Sequence, residues 1–594
     1  MKMHFRFLNN KFWWSIKCIL FIVANTVSSC AQTVSGTFAL NQAGYYPEAT
    51  KTALILTDNP ARMSFQVVDN NTGKIVFDGL LGSPMLSASS AFTTRSADFT
   101  ALQQTGSFHI VVKELGESMT FDIRKHIYSP VAVASLKAFY YQRASMPLEP
   151  AYAGIWQHKA GHPDTAVIIH PSAAFKNRTA GSLIASPGGW YDAGDYNKYV
   201  VNSGISTGTL LAAYEDFSAY FDSLHTNIPE SKNALPDILD EALYNIRWLF
   251  TMQDPQDGGV YNKCTNASFD GMIMPEKAVS PRYVVQKGTA AALNLSAVMA
   301  QSSRLFRKFE KSCPGLADSC LIAAEKAWNW AKENPDVSYD QGQMNKKYEP
   351  AITTGGYGDA YFGDEWLWAN AELFATTGKK LYFDKILGQM NDVIDVPSWN
   401  NVGILGYYTL IRTKKQLPEY AQSIIEIMKK RVISLADSYI NKISSNALHS
   451  VMGSTRKDYI WGSNAVAANQ GVLLINAYLL THEKKYLDAA LGNVDYLLGR
   501  NFTGYCFVTG TTTKSPLHPH HRISIADGIP APVPGLLVGG PNEGRQDGIH
   551  YTNTTPEASY IDEAGAYASN EIAINWNAPL VYLLNAADAI MGTI

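Results

Sequence analysis

Through residues 33–125 apolar side chains recur at every second position. Met63, Phe65 and Val67 alternate with polar neighbours, Asn70-Asn71-Thr72-Gly73 supplies a turn, and Ile75 and Phe77 resume the alternation. Phe108, Ile110 and Val112 repeat it. A period of two buries one face of a strand and leaves the other in water. Helical periodicity is absent here, so this stretch is expected to be a small β-sandwich of about seven strands.

From Tyr128 the period changes. Leu235, Ile238, Leu239, Ala242, Leu243, Ile246, Leu249 and Phe250 fall on one face of a helix, with Pro236 in a first turn that tolerates proline. Similar runs lie near 203–220, 287–306, 318–333, 364–377, 418–441, 464–481 and 485–498. Between them are long loops rich in Gly, Pro and aromatics, such as 254–283 and 503–560. Loops of that length in a compact helical domain are usually functional. Residues 128–594 therefore read as an all-α domain that carries its chemistry on loops.

The first thirty residues read as a targeting segment. Lys2, Arg6, Lys11 and Lys17 precede a short apolar run from Cys18 to Ala24, then Val27-Ser28-Ser29-Cys30. A basic start and an apolar stretch too short to span a bilayer describe a secretory signal. Cys30 after two serines resembles a bacterial lipoprotein box, which implies acylation and a membrane tether rather than a span. Ordinary cleavage nearby, with Cys30 incidental, is the alternative. The lipoprotein reading puts the protein at the periplasmic face or cell surface of a bacterial outer membrane. Export places the remaining cysteines in an oxidising compartment, where Cys313 and Cys320 are close enough in sequence for a local disulfide.

Composition narrows the partners. A chain of 594 residues is too long for one ordinary core, so two or more domains are expected. The net charge of −3, with no basic block, disfavours a nucleic-acid partner. The 12 Trp and 32 Tyr include enough flat faces for sugar stacking, though a large core uses most of them.

Three clusters carry candidate chemistry. Gly188-Gly189-Trp190-Tyr191-Asp192-Ala193-Gly194-Asp195 sets two carboxylates three residues apart in a glycine-rich turn. Such a pair can hold a water and remove its proton, and its mutual repulsion raises one pKa. The same spacing also suits calcium. Leu517-His518-Pro519-His520-His521-Arg522 suggests zinc, but the adjoining arginine opposes a metal and favours hydrogen bonding to an oxygen-rich substrate. Tyr560-Ile-Asp562-Glu563, Tyr567-Ala-Ser-Asn570-Glu571 and Asn575-Trp576-Asn577-Ala578 surround a glutamate just ahead of an apolar helix. Desolvation would raise the Glu571 pKa and make it an acid, whereas the helix start would lower it.

Taken together the clusters resemble glycoside hydrolase family 9 over nearly all of the chain after the leader. Asn41-Gln42-Ala43-Gly44-Tyr45 resembles the opening of that family's N-terminal immunoglobulin-like domain. GGWYDAGD at 188–195 is similar to its base motif, Pro519-His520-x-Arg522 to its histidine motif, and the run from Tyr560 to Ala578 to its acid motif. Asp237-Ile-Leu-Asp240-Glu241, Gly355-Gly-Tyr-Gly-Asp359 and Trp461-Gly-Ser-Asn464 agree as well. The resemblance implies an immunoglobulin-like β-sandwich followed by an (α/α)6 barrel, and an inverting glycosidase. In it Asp195 is the general base, Asp192 its partner, Glu571 the general acid and Asp562 a supporting carboxylate. His520 and Arg522 become substrate contacts, and Tyr191, Trp461 and Trp576 candidate ring contacts. The expected activity is endo-β-1,4-glucanase on cellulose-like, mixed-linkage or xyloglucan chains, needing no cofactor for its chemistry and acting as a monomer. The rivals are an exo-acting family member, or a non-catalytic glycan-binding lipoprotein.

Departures from the pattern bear on metals. Relatives with this N-terminal domain carry a zinc held by two Cys and two His. Here Ala144 and Tyr191 stand at ligand positions and Gly161-His162 keeps only the histidine, so no zinc is expected. Asp364-Glu365 resembles the family's calcium pair, with Asn400 following Trp399 where an Asp is common. Thr512 stands where the family usually has Gly.

Overall fold

The computed structural model describes residues 37–390 and 392–593; the leader and Cys30 lie outside them. Nine strands form the N-terminal sandwich: β1 (Phe38–Ala39), β2 (Thr52–Leu56), β3 (Ser64–Asp69), β4 (Ile75–Leu80), β5 (Met85–Leu86), β6 (Thr93–Asp98), β7 (Gly106–Val112), β8 (Gly116–Glu117) and β9 (Phe121–Ile123). One sheet runs β1-β2-β6-β5; the other runs β4-β3-β7-β8, with β9 also paired to β7. The alternation holds: Phe65, Val67, Phe108, Ile110 and Val112 are all buried in the sandwich core. The count exceeds seven because β1, β5 and β8 have only two residues each, too few to show a period.

Twelve helices of at least eight residues follow: α1 (Ser129–Tyr141), α2 (Val200–Phe221), α3 (Asp237–Met252), α4 (Thr289–Phe306), α5 (Leu316–Glu333), α6 (Gly363–Thr377), α7 (Lys380–Leu387), α8 (Gly403–Arg412), α9 (Gln422–Ile440), α10 (Ser463–Thr481), α11 (Lys484–Leu497) and α12 (Ile574–Met591). The even-numbered helices form an inner ring. α12, α2, α4, α6 and α8 pack side by side in that order and α10 packs on α12, while α9 contacts both α8 and α10. Each odd-numbered helix backs one inner helix, α1 on α12, α3 on α2, α5 on α4, α7 on α6, α9 on α8 and α11 on α10.

Burial follows from position in the two rings. α4 is buried at every position except Arg304, because helices surround it. α9 buries only Ile425, Met428, Val432 and Ala436, a stripe at helical spacing whose other face is left to water.

The barrel domain is not wholly α. Five short strands, β10 (Val167–Ile169), β11 (Leu183–Ile184), β12 (Lys198–Tyr199), β13 (Lys263–Asn266) and β14 (Arg282–Val284), form a sheet in the order β11-β10-β14-β13-β12. Their two to four residues, several of them charged, left no period to read. Cys313 and Cys320 are free thiols, as are Cys264 and Cys506, so the expected local disulfide is absent among the described residues.

The two ends of the inner ring differ. The loops ahead of the inner helices, with Trp576 in the first turn of α12, hold the candidate cleft residues. Toward the other end the helices carry a buried charge network. Arg304 of α4 bridges Glu215 of α2 and Glu372 of α6, each at 2.9 Å. Arg412 of α8 pairs with Asp216 at 2.6 Å and Glu215 at 3.2 Å, and the Tyr582 hydroxyl of α12 donates to Asp216 at 2.7 Å. Breaking one partner of a buried network leaves charge unpaired. Arg304→Met is therefore expected to cost about 3–5 kcal/mol in urea unfolding. Being remote from the cleft, it should leave turnover of folded protein unchanged, which a rate measurement well below the melting temperature checks.

Candidate active site

The loops ahead of the inner helices enclose a cleft of about 900 Å³ lined by Asp192, Asp195, Tyr357, His520, Arg522, Glu571 and a set of aromatic faces. Its floor is built from the 188–195 turn. Gly189 has φ of +77°, and a Cβ there would lie 2.7 Å from the Trp248 ring, so glycine is required for both conformation and space. The turn ends directly ahead of α2, which places both carboxylates at the mouth of the ring.

Asp192 is buried and its two oxygens are fully engaged. Oδ1 accepts from Asn202 Nδ2 at 2.6 Å and Oδ2 from the Tyr357 hydroxyl at 2.8 Å. Burial, and then the charge of Asp195, push its carboxyl up to about 8, while Asn202, Tyr357 and Lys263 pull the other way. Asp195 accepts from Asn197 Nδ2 and, at 3.4 Å, from the Tyr199 hydroxyl. Among the described residues both of these donors fall on Oδ2, which leaves Oδ1 for a molecule in the cleft.

Glu571 comes from the far end of the chain, just ahead of α12. Two segments join there: Ala193 bridges Ala573, and the Ile574 N–H donates to the Asp192 carbonyl at 2.8 Å. Burial, then the charges of Asp195 and Asp192, hold the Glu571 carboxyl well above the ordinary range, outweighing Arg522 and the Gly194 N–H.

The histidine cluster does not converge on a metal. His520 lines the cleft and its Nδ1 donates to the Ala564 carbonyl at 2.6 Å, which turns Nε2 away from that bond. Burial lowers its pKa and keeps the ring neutral at pH 7. His521 is buried elsewhere between Gln142 and Ser524, and His518 is exposed. Among the described residues no three His, Cys, Asp or Glu side chains are grouped to hold a metal ion.

Arg522 donates through Nη1 to the Gly194 carbonyl at 2.8 Å and through Nε to the Asp270 carbonyl at 3.0 Å, with its guanidinium over the Phe269 ring. It therefore ties two cleft loops together while lining the cavity. Trp461 and Trp576 also line it, and Trp461 lies 5.5 Å from the Tyr567 ring.

Two expected site residues lie outside the cleft wall. Tyr191 is 1% exposed, and its hydroxyl meets His162 Nδ1 at 2.8 Å. Since Asp192 turns to the cleft, its neighbour points the opposite way, which removes Tyr191 as a ring contact. That pair, with Ala144 and Ser145 beside it, occupies the region where the resemblance lost its zinc ligands. Asp562 accepts the Leu517 and His518 N–H groups at 2.8 and 2.9 Å and Asn570 Nδ2 at 3.1 Å. It shapes the histidine loop and the residue before Glu571 without lining the cavity.

Sequence reasoning missed Asn202, Tyr357, Tyr199, Phe269 and Trp399 as site residues. The Gly355-Gly-Tyr-Gly-Asp359 stretch offered a signal for Tyr357, but nothing near Asn202 distinguishes it from any polar residue in a helix. Asp364 and Glu365 open α6 away from the base pair. Asp364 Oδ2 accepts the Val402 N–H at 2.7 Å, while among the described residues Asp364 Oδ1, Asp359 Oδ2 and both Glu365 carboxyl oxygens are buried without a donor. Burial, then Asp364 and Asp359, hold the Glu365 carboxyl well above its usual range. Asn400 Oδ1 is already taken by Ser398.

Comparison with known proteins agrees with this geometry. Residues 34–117 match the cellulase N-terminal ig-like domain and residues 128–584 match glycosyl hydrolase family 9. A xyloglucan-specific endo-beta-1,4-glucanase of Bacteroides ovatus is 46% identical over 555 residues, 93% of each chain. Endoglucanase D of Acetivibrio thermocellus is 32% identical, over 92% of this chain and 82% of its own length. A solved Bacteroides ovatus GH9 structure superposes with a TM-score of 0.89 at 44% identity, covering 94% of this chain and all of the other. A metagenome-derived family 9 endoglucanase gives a TM-score of 0.84 at 31% identity, over 93% of this chain and 99% of that one. The protein is a member of glycosyl hydrolase family 9, an immunoglobulin-like sandwich joined to an (α/α)6 catalytic barrel.

Proposed function

We propose that this enzyme is an inverting endo-β-1,4-glucanase whose polymer is xyloglucan. The observation that carries the chemistry is one cleft lined both by Glu571, whose carboxyl burial and the neighbouring Asp195 and Asp192 hold well above its usual range, and by the pair Asp192 and Asp195. Glu571 gives its proton to the glycosidic oxygen as the bond breaks. Asp195 takes a proton from a water attacking the opposite face of the sugar. Inversion needs room for that water, a carboxyl separation of about 6.5–9.5 Å. Asp192 buttresses the base, its own carboxyl pushed up to about 8 by burial and by Asp195. His520 offers its Nε2 as an acceptor and Arg522 its guanidinium as a donor to sugar hydroxyls, while Trp461 and Trp576 offer faces to the rings. The substrate assignment is supported by the relative at 46% identity, whose name specifies xyloglucan.

The decisive measurement compares products from xyloglucan, mixed-linkage glucan, carboxymethylcellulose and chitosan oligomers. Rapid viscosity loss on xyloglucan, with the α-anomer formed first, is expected. Release of chain-end sugars alone would replace the endo assignment by an exo one. Glu571→Gln and Asp195→Asn should each lower kcat by about 10²–10⁴-fold. The wild-type profile should fall at low pH as the base is protonated and at high pH as Glu571 loses its proton.

We also propose a structural calcium at Asp364 and Glu365, supported by their buried carboxyl oxygens, which have no donor among the described residues. Such oxygens suit a hard cation, with carbonyls and water completing its shell. Chelation is expected to lower the melting temperature, with recovery on adding calcium; an unchanged melt would remove the site.

Finally, we propose that the protein is a monomer tethered at a bacterial outer membrane through acylated Cys30. Cys30→Ala should move it from the membrane fraction to the soluble fraction.

A further inference from the structure

Lys263 is a buried cation that the mechanism above does not use. It begins β13, with Tyr199 of β12 opposite it, and it is fully shielded from solvent. Its Nζ donates to Gln341 Oε1 at 2.7 Å, Thr354 Oγ1 at 2.9 Å and the Gly355 carbonyl at 2.6 Å. Three acceptors around one nitrogen match the three N–H bonds of an ammonium, whereas a neutral amine would leave one unmet. All three partners are neutral, and among the described residues no carboxylate oxygen forms an ion pair with Nζ. A buried ammonium in that position needs negative charge nearby to persist.

Only one source faces it. Strand alternation puts Lys263, Thr265 and Tyr199 on one face of the sheet, and Lys198, Cys264 and Arg282 on the other. Lys198 and Arg282 are satisfied there by Asp164, at 2.7 and 3.1 Å. On the Lys263 face the neighbouring titratable groups are the hydroxyls of Tyr199, Tyr339 and Tyr357, all raised by burial and neutral. The charges acting on Lys263 are those of Asp195 and Asp192, which offset part of the burial that pulls it down to about 7.

Two chains of contacts run from Nζ to the pair. Through Thr354, whose hydroxyl meets Thr265 Oγ1 at 2.6 Å, one reaches Asn197 Oδ1 at 2.9 Å and then Asp195 Oδ2 from Asn197 Nδ2. The other runs through the Gly355 carbonyl, which Lys263 pins, to Tyr357 two residues on, whose hydroxyl donates to Asp192 Oδ2. We infer that Lys263 is a positioning residue and the buried counter-charge of the Asp192–Asp195 pair, holding the 354–357 loop in place. The inference rests on Asp195 acting as the base.

The test is the pH dependence of kcat/KM on soluble xyloglucan for wild type, Lys263→Gln, Thr354→Val and Asp195→Asn, with melting temperatures for each. Removing the cation raises the pKa of the base, so the acid limb of Lys263→Gln should move up by about one pH unit. Well below the midpoint of the acid limb kcat/KM should therefore fall about tenfold, carried by kcat with KM little changed. Thr354→Val keeps the charge but cuts one contact chain, so it should lower kcat and leave the acid limb in place. A Lys263→Gln enzyme with lower kcat at every pH but an unmoved acid limb would overturn the counter-charge role. If Lys263→Gln does not fold, Thr354→Val decides, and wild-type kcat in that variant overturns the inference. Full activity in Asp195→Asn would instead remove the base assignment beneath it.

Discussion

The active site depends on two loops crossing at Gly194. A Cβ at this position would lie 2.1 Å from the His520 carbonyl oxygen, so no larger residue fits without separating them. The Gly194 carbonyl also accepts both the Arg522 backbone N–H, at 3.1 Å, and its guanidinium. One residue on, Asp195 faces the cleft; on the other loop, Glu571 follows Asn570, whose carbonyl holds the His520 N–H at 2.8 Å. The acid and the base thus owe their shared cavity to this close backbone approach together with the Ala193–Ala573 bridge beside it. Widening it by an ångström would misplace the water between them, and catalytic rates are steep in such displacements.

The helices impose a second constraint. The loops that carry Asp195, Tyr357, Trp461 and Glu571 all precede inner helices, so the positive ends of those dipoles face a cleft crowded with carboxylates. Toward the other end lie Glu215 and Asp216, where the dipole is unfavourable to acids. Arg304 and Arg412, in the last turns of α4 and α8, reverse that penalty and complement the negative helix ends. The barrel is therefore electrostatically polar along its axis. Its cation network secures the stable end, and desolvated carboxyls are concentrated at the reactive one.

The helices that were legible in sequence were long. Those at 287–306 and 464–481 announced themselves by length and apolar content, although their burial on nearly all sides leaves little amphipathic contrast. α8 was missed because ten residues with buried Gly403, Ile404, Leu405 and Tyr407 in succession do not differ from an apolar loop. The Asp192, Asp195 and Glu571 motifs were readable because acid–base chemistry demands rare combinations of residues. Tyr191 was misplaced because a motif states which residues are adjacent but not which way each one points. Tyr357 and Lys263 act through partners more than seventy residues away and Asn202 on a carboxylate ten residues before it, and apart from the glycine-rich stretch around Tyr357 local sequence carries no trace of these pairings.

The sandwich enters the same framework through polar contacts buried at its seam with the barrel. Asn41 Nδ2 donates to Asp495 Oδ1 at 2.8 Å, and the Tyr46 hydroxyl to Asp588 Oδ1 at 2.8 Å. Both aspartates belong to the barrel and are almost wholly buried; burial pushes Asp495 up to about 6 even with Arg500 beside it. Truncating Tyr46 alone would leave Asp588 Oδ1 buried without that donor, a loss of about 1–3 kcal/mol. Gln42 extends the effect toward the cleft. Its Nε2 donates to the Gly504 carbonyl at 2.8 Å and its Oε1 accepts the Lys514 N–H at 3.0 Å, so one side chain clamps both sides of the 504–514 loop. That loop leads directly into the histidine segment that crosses at Gly194. The sandwich is thus part of the barrel's satisfied interior, and its first turn lies on the path that sets the position of His520.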